Sequence, residues 1–321
     1  MSRYNSDVEA VEALKISYNN LFKEITKVII GQDDTVRLLL TAIFCQGHCL
    51  LVGVPGLAKT LLIHTLADAM DLSFNRIQFT PDLMPSDITG SETLDQDRNF
   101  KFIKGPLFAN IVLADEINRT PPKTQSALLE AMQEYAVTVG GKKFPIEKPF
   151  FVLATQNPIE QEGTYPLPEA QLDRFMFMVT LDYPSYLAEL EIVKATTSNK
   201  KNIVEKQVSA DEIIEFQQLI RKVPVADNVV EYAVKLVHST RPNTGMASEL
   251  ANKYLEWGAG PRASQNLILG AKCNALINGK YSPDIEDVKA VALAVLRHRI
   301  VRNFKAEAEG ISQEKIVSSL I

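Results

Sequence analysis

Residues 53–60, which read Gly-Val-Pro-Gly-Leu-Ala-Lys-Thr, place the strongest constraint on how this chain can fold. They have the spacing of a phosphate-binding loop in a relaxed form, Gly-x4-(Gly/Ala)-Lys-(Ser/Thr). A short apolar run at 49–52 precedes them, and helical periodicity over 59–70 follows. Such a loop binds phosphate with backbone N–H groups at the N-terminus of a helix. The segment therefore predicts an α/β fold with a phosphate site between a buried strand and a helix.

Several residues of this loop have a defined chemical use. Gly53 permits the tight turn, Lys59 supplies a positive charge to the β- and γ-phosphates, and Thr60 offers a hydroxyl to Mg²⁺. The strict pattern has a second glycine where this chain has Ala58. An ordinary glycine-rich turn is the alternative interpretation. The expected nucleotide contacts in and beside the loop are Gly53, Val54, Pro55, Gly56, Leu57, Ala58, Lys59, Thr60 and Leu61.

Hydrophobic periodicity divides the chain into two parts. Strand-like apolar runs lie at 49–52, 74–79, 111–114, 150–154 and 176–181, and helical patterns lie between them, the longest at 124–135. This alternation predicts a parallel sheet with helices on both faces. Later patterns, at 213–220, 229–237, 247–255, 263–276 and 285–295, are all helical. We therefore predict an α/β nucleotide-binding domain over 1–184 and an all-helical domain over 185–321, with the boundary near Pro184.

Two adjacent carboxylates, Asp115 and Glu116, follow the apolar run at 111–114. Carboxyl ends of parallel strands share one edge of a sheet, so these side chains are expected near the phosphate loop. Asp115 is then a candidate for the Mg²⁺ shell, and Glu116 for the general base that polarises an attacking water. Solvated carboxylates at a strand end are the alternative interpretation.

Three further side chains are candidates for contact with a nucleotide. Asn157 follows the strand-like run at 150–154 and could orient water against the γ-phosphate, although a turn before Pro158 also explains it. Arg174 precedes the run at 176–181 and could reach a phosphate directly or across a subunit interface, with a surface salt bridge as the alternative. Arg262 lies in the first turn of a predicted helix, where the dipole disfavours a cation, and this favours a functional role.

Composition restricts the remaining function classes. Hydrophobic residues make up 46% and charged residues 23% of the 321, and the net charge of −5 disfavours a broad surface for nucleic acid. No run approaches the roughly 18 apolar residues of a membrane span, and the first residues lack the apolar stretch of a signal peptide. We expect a cytoplasmic protein without membrane insertion. Cys45, His48 and Cys49 lie close together, but no fourth metal ligand is evident, which favours cysteines used as small apolar residues.

Several segments together resemble the MoxR family of AAA+ ATPases. Residues 53–60, 78–87, 113–119 and 154–174 carry this resemblance, which extends over nearly the whole chain. It implies an AAA+ P-loop core, with a parallel sheet sandwiched by helices, followed by an all-α lid domain. It also implies that ATP and Mg²⁺ bind between neighbouring subunits of a ring, a hexamer. Ala58 is similar to the usual form of the loop in that family.

The resemblance also assigns individual roles. The matched motif residues are Lys59 and Thr60 (Walker A), Asp115 and Glu116 (Walker B), Asn157 (sensor 1), Arg174 (a finger acting in trans) and Arg262 (sensor 2). Ile30 and Gly31 resemble part of the adenine pocket. Residues 81–105 resemble the helix-2 insert, and residues 138–146 resemble a hairpin that faces the pore of a ring. A Gly-Gly turn between strand-forming residues predicts that hairpin independently.

The implied function is remodelling or activation of client protein complexes, often with a partner that carries a von Willebrand factor A domain. A nucleic-acid translocase is one alternative, for which Lys142 and Lys143 at the hairpin tip could serve. A non-hydrolysing ATP switch is a second alternative. A small-molecule kinase is a third, but it does not explain Asn157, Arg174 and Arg262 beside a helical second domain.

Overall fold

The computed structural model describes residue 4 and residues 6–94, 99–159, 163–198 and 203–321. The strands are β1 (Cys49–Gly53), β2 (Phe74–Gln78), β3 (Gly90–Leu94), β4 (Phe100–Lys104), β5 (Ile111–Asp115), β6 (Ala136–Val139), β7 (Lys142–Pro145), β8 (Phe151–Gln156), β9 (Phe177–Leu181), β10 (Leu255–Trp257) and β11 (Val301–Arg302). The helices are α1 (Asp7–Thr26), α2 (Asp33–Phe44), α3 (Lys59–Ala69), α4 (Pro85–Thr89), α5 (Pro122–Glu134), α6 (Glu169–Leu172), α7 (Tyr186–Thr196), α8 (Ala210–Lys222), α9 (Asp227–Ser239), α10 (Glu249–Tyr254), α11 (Pro261–Ile277), α12 (Ile285–Leu296), α13 (Phe304–Ala308) and α14 (Gln313–Ser318). Over these ranges, no helix has both the length and the apolar character to cross a membrane.

Five strands form one parallel sheet in the order β2-β5-β8-β1-β9. Strands β1 and β8 pair in parallel, with Cys49 opposite Leu153. Because all five strands point the same way, Gly53, Asp115 and Gln156 end at one edge of the sheet. We call this the carboxyl edge, and the edge at which the strands begin the amino edge. The sheet direction thus places the phosphate loop and the Asp115-Glu116 pair side by side.

Apolar side chains alternate between the two faces of the sheet, as strand geometry requires. In β1, Leu50 packs in the core cluster that includes Leu129 of α5, whereas Leu51 packs in the cluster that includes Leu39 of α2 and Leu66 of α3. The prediction of a parallel sheet with helices on both faces is confirmed. The second cluster continues into helices α8, α9, α11 and α12, so one core joins the sheet to the helical part. The boundary at 184 stays a prediction.

Over its described residues, the second part is helical except for one short two-stranded sheet, which the helical patterns did not predict. Strands β10 and β11 pair antiparallel, with Leu255 opposite Arg302 and Trp257 opposite Val301. The helix expected over 247–255 ends at Tyr254, and β10 begins at the next residue, Leu255. The all-helical prediction needs this correction because strands of three and two residues are too short to show a period of two.

Two antiparallel hairpins stand apart from the parallel sheet. Strands β3 and β4, with α4, make up most of the insertion expected over 81–105, and β6 and β7 make the hairpin expected over 138–146. Gly140 and Gly141 both have positive φ, which is typical of a tight hairpin turn. Phe102 and Phe144 stack with ring centroids 3.9 Å apart and so join the two hairpins. The turn between β3 and β4 includes residues outside the described ranges.

Candidate nucleotide site

The phosphate loop joins β1 to α3 at the carboxyl edge. Ala58 caps α3 with φ 55° and ψ 28°, a left-handed conformation. Glycine adopts this conformation without strain, which explains why the strict pattern has glycine here and why alanine is tolerated at a cost of about 1–2 kcal/mol. The Lys59 ammonium donates a hydrogen bond to the carbonyl of Gly53. The lysine therefore lies back over its own loop, and the exposed Thr60 follows in the first turn of the helix.

Asp115 and Glu116 lie within electrostatic range of Lys59. Partial burial lowers the pKa of Lys59, and the two carboxylates oppose that shift. Asp115 is anchored by Thr155, whose hydroxyl donates to Asp115 Oδ1 at 2.6 Å and accepts from the backbone N–H of Glu116 at 2.9 Å. Glu116 has φ 58° and ψ 50°. Left-handed backbone at a residue other than glycine is strained, and such strain concentrates at functional sites.

Strand β2 and the turn after β5 provide further partners for the two carboxylates. Arg76 donates to Asp115 Oδ2 through Nη2 at 2.6 Å and through Nε at 3.1 Å. The side-chain amide of Gln78 donates to Glu116 Oε2 at 2.8 Å, and Arg119 Nη1 lies 3.0 Å from the same oxygen. Sequence reasoning assigned no role to Arg76, Gln78 or Arg119. The contacts of Arg76 and Gln78 depend on β2 lying next to β5, which no local pattern in the sequence reveals, whereas Arg119 is only three residues from Glu116.

Asn157 is almost completely buried just beyond β8, at the same edge. Its Oδ1 accepts from the backbone N–H of Ile159 at 3.1 Å, which is the hydrogen bond of a turn. A contact to phosphate or water would use the amide nitrogen as donor, so the turn and the proposed role use different atoms. The structure thus shows that the side-chain oxygen of Asn157 stabilises a turn. The sensor role of its amide nitrogen stays a prediction.

Arg174 and Arg262 lie at the opposite, amino edge. The backbone N–H of Met176 donates to the His48 carbonyl at 2.8 Å, which fixes the chain just after Arg174 beside the start of β1. Arg174 Nη1 donates to the Leu129 carbonyl at 2.8 Å, and Arg262 Nη1 lies 3.4 Å from Asp173 Oδ2. The length of β1, roughly 15 Å at about 3.3 Å per residue, separates this edge from the phosphate loop. That is more than an arginine side chain spans, so neither arginine meets the loop of its own chain.

A buried arginine that sequence reasoning missed holds this amino-edge segment in place. Arg299 donates to Asp173 Oδ1 at 2.8 Å and to the carbonyls of Phe175 and Met176 at 2.6 and 3.1 Å. A buried guanidinium needs several acceptors, and these contacts supply them. Arg299 therefore fixes the turn that presents Arg174. Its position beside β9 follows from how the helical part packs, which the sequence pattern does not show.

A cleft of about 650 Å³ lies beside the phosphate loop, and Ile30 and Gly31 are among its lining residues. Gln32 Nε2 donates to the Leu57 carbonyl at 3.3 Å and so connects the cleft to the loop. Gly31 has φ 74°, and a Cβ there would lie 2.6 Å from the Cβ of Ala188. Glycine is required at this point of close approach. The location suits an adenine pocket, and the contact with nucleotide stays a prediction.

Within the group formed by Cys45, His48 and Cys49, both ring nitrogens of the histidine are already hydrogen-bonded. His48 Nδ1 accepts from the Val152 backbone N–H at 3.0 Å, and Nε2 donates to the Met132 carbonyl at 3.2 Å. Both cysteines are buried. Over the described ranges, no group of three or more His, Cys, Asp or Glu side chains is arranged to hold a metal ion. The cysteines pack as small apolar residues.

A parallel sheet, a phosphate loop and two carboxylates at its carboxyl edge, and a following helical part define an AAA+ nucleotide-binding protein. A family model described as "ATPase family associated with various cellular activities (AAA)" matches residues 48–177, and a model of the AAA lid domain matches residues 247–320. The first match covers strands β1, β2, β5 and β8 of the sheet and ends where β9 begins, and the second covers the helical part from residue 247 onward.

Similar proteins narrow the class. Chaperone MoxR1 of Mycobacterium tuberculosis is 43% identical over 302 residues, which cover 93% of this chain and 79% of that protein. The uncharacterized protein YeaC of Bacillus subtilis is 41% identical, covering 93% and 91%. A crystal structure of a protein from Cytophaga hutchinsonii matches with TM-score 0.90 and 46% identity, covering 97% of this chain and 95% of that one. The chain belongs to the MoxR family of AAA+ ATPases.

Proposed function

We propose that this chain binds and hydrolyses ATP with Mg²⁺ between neighbouring subunits of a ring, a hexamer, and uses the cycle to remodel or activate client protein complexes. The observation that carries this proposal is the position of the two halves of the site. Lys59, Glu116 and Asn157 lie at the carboxyl edge, whereas Arg174 and Arg262 lie at the amino edge. A head-to-tail ring brings opposite faces of successive subunits together.

At the carboxyl edge, each residue has a chemical task. Backbone N–H groups of the loop and the Lys59 ammonium hold the phosphates. Thr60 and Asp115 offer a hydroxyl and a carboxylate, hard oxygen donors that fit Mg²⁺. Bound there, the ion would offset negative charge on the phosphates. Glu116 accepts a proton from the attacking water, and Asn157 positions that water.

The amino edge supplies cations to the neighbouring subunit. Arg174 and Arg262 border a common cleft with Arg221, so three guanidinium groups lie near one another. Asp173 supplies one negative charge to this cleft, and the phosphates of the next subunit's nucleotide would offset the positive charge that remains. This assignment places both arginines in trans.

Exposed apolar side chains flank both edges, as a subunit interface requires. Helix α7 borders the cleft that contains Ile30 and Gly31, and none of the 11 residues of this helix is buried. Tyr186 is 75% and Val193 52% exposed on it. On the other side, Trp257 is 67% exposed and borders the same cleft as Asp173, the partner of Arg262. Head-to-tail association would cover both surfaces.

Client remodelling rests on the family and on the two hairpins. One relative is named a chaperone. Leu94 and Phe100, at the outer end of the β3-β4 hairpin, are 61% and 71% exposed, which suits contact with an apolar polypeptide. A separate partner with a von Willebrand factor A domain would contribute client recognition.

The nucleic-acid alternative is weakened because Lys142 and Lys143 are paired with Glu92 and Glu134.

The ring and the hydrolysis step are tested together with Glu116→Gln. This variant should bind ATP but lose turnover by about 10²-fold or more, because it lacks the general base. Light scattering coupled to size exclusion, with and without Mg²⁺ and ATP, should then detect a ring-sized species that ATP stabilises. Normal turnover would reject the role of Glu116 and leave a different base to be found. A persistent monomer at high protein concentration would contradict the inter-subunit site.

A further inference from the structure

Arg76 occupies the carboxylate that the proposed site offers to Mg²⁺. Both of its contacts, Nη2 at 2.6 Å and Nε at 3.1 Å, go to Asp115 Oδ2. The other oxygen, Oδ1, accepts from Thr155 at 2.6 Å. Asp115 therefore has a protein donor on each oxygen and a positive charge beside the one that faces Arg76.

The same guanidinium also orients the neighbour of Glu116. Arg76 Nη2 donates to Gln78 Oε1 at 2.6 Å, and Gln78 Nε2 donates to Glu116 Oε2 at 2.8 Å. A guanidinium has only donors and a carboxylate only acceptors, so the two ends of this chain of hydrogen bonds fix which way the Gln78 amide points. Arg76 and Gln78 are two residues apart in β2 and so lie on one face of the strand. Arg76 thus contacts Asp115 directly and reaches Glu116 only through Gln78, whereas Arg119 contacts Glu116 directly.

We propose that Arg76 is a positioning residue that competes with Mg²⁺ for Asp115 and moves off this carboxylate when metal-bound nucleotide occupies the site. A guanidinium and a divalent cation repel each other at a shared carboxylate. The Arg76 side chain is 46% exposed, so it can leave Asp115 for water without an enclosed cavity to receive it. Its departure leaves Asp115 Oδ2 open to the metal ion, whereas Glu116 still has Arg119 beside it. The inference rests on the proposed function, because it takes Asp115 as a metal ligand.

The test measures the Mg²⁺ requirement of nucleotide binding with the full chain. Wild type, Arg76→Met and Arg76→Lys are each titrated with Mg²⁺ at a fixed concentration of ADP carrying a fluorescent N-methylanthraniloyl group. Arg76→Met keeps an unbranched, flexible stem and removes the guanidinium with its charge, and should lower the half-saturating Mg²⁺ concentration roughly threefold to tenfold. Arg76→Lys keeps the charge without the planar fork and should fall between the two. Affinity in excess chelator should stay within about twofold of wild type, since the phosphate loop is unchanged.

Arg119→Met is the matched control. Arg119 is 44% exposed and pairs with Glu116 rather than Asp115, so its loss removes an equal charge from the same neighbourhood. It should shift the Mg²⁺ requirement less than Arg76→Met does. An unchanged or higher Mg²⁺ requirement in Arg76→Met would overturn the proposal, because Arg76 would then be a bystander or would orient Asp115 for the metal. Failure of the proposed function would look different from failure of this proposal. In that case wild type itself would show no Mg²⁺-dependent binding of the nucleotide.

Discussion

Backbone torsion at single residues accounts for the departure of this chain from the strict phosphate-loop pattern. Ala58 has φ 55°, so its position demands the conformation that glycine adopts most easily. Glu116, at the end of β5, has a similar φ of 58°. Two strained residues thus lie at the same edge of the sheet, beside the groups assigned to phosphate and water. Glycine in place of Ala58 would relax the loop without adding a contact.

The residues that could be predicted are those whose pattern is contiguous in sequence. Lys59 and Thr60 follow from the loop spacing, and Asp115 and Glu116 from their place at the end of an apolar run. Thr155, in contrast, sits inside a predicted strand and has no pattern of its own. Its bridge between Asp115 and the Glu116 backbone appears only when β5 and β8 are placed side by side. Contacts across strands need the strand order, which local periodicity does not contain.

His48 should make stability depend on pH. Burial lowers the pKa of His48 to about 4 from its usual 6.5, while its hydrogen bond to Met132 opposes the shift. Between these two values the unfolded chain binds the proton and the folded chain does not, so stability is complete above pH 6.5 and falls as pH drops towards 4. We expect His48→Gln, which keeps a donor and an acceptor, to lose about 2 kcal/mol less than wild type between pH 7 and pH 5.

Urea unfolding at the two pH values measures this difference. His298 is also buried, and burial followed by the nearby Arg299 lowers its pKa in the same direction. It is present in both proteins, so its contribution cancels in the comparison. Equal losses of stability in wild type and His48→Gln would show that His48 is protonated without cost in the folded chain.

Among the helices of eight or more residues in the described part of the chain, α7 alone has no buried residue. Its apolar side chains recur at Tyr186, Leu187, Leu190 and Val193, the spacing of one helical face, yet none is buried. Elsewhere in the described ranges, the long helices bury such a face against the core, as α1 does with Leu14 and Leu21. The unpaired face of α7 is the reason to place it at the subunit interface.

Tyr186→Glu should weaken assembly about tenfold in protein concentration, because it puts a charge into an apolar contact. The first turn of a helix favours an acidic residue, so α7 itself should remain folded. Val8→Glu is the control, since Val8 is an exposed apolar residue in the first turn of α1. Light scattering over a dilution series measures both. Equal assembly of the two variants would remove α7 from the interface.

Elements with a local sequence signal could be predicted, and those without one could not. The run at 111–114 lies within β5 because a buried parallel strand is continuously apolar, and the pattern at 263–276 lies within α11 because it extends over several helical turns. Strands β10 and β11 have three and two residues and pair across more than forty positions of sequence. Their pairing depends on the packed lid, so no local pattern predicts it.

For the whole molecule, the direction of the sheet decides how the site can work. A strand that follows Arg174 has its start at the amino edge, which places that arginine on the far side from the phosphate loop. This much follows from the sequence once the sheet is taken as parallel. The position of Arg262 does not, because it depends on how α11 packs against Asp173. Together the two arginines make a one-chain site incomplete.

The most direct test of the account mixes two inactive proteins. Arg174→Ala keeps Glu116, and Glu116→Gln keeps Arg174, so about a quarter of the interfaces in an equal, random mixture pair two intact halves. We predict that the mixture hydrolyses ATP faster than either variant alone. The double variant mixed with either single one serves as control, because it creates no intact pair. Activity that equals the average of the two parents at every ratio would contradict an active site shared between subunits.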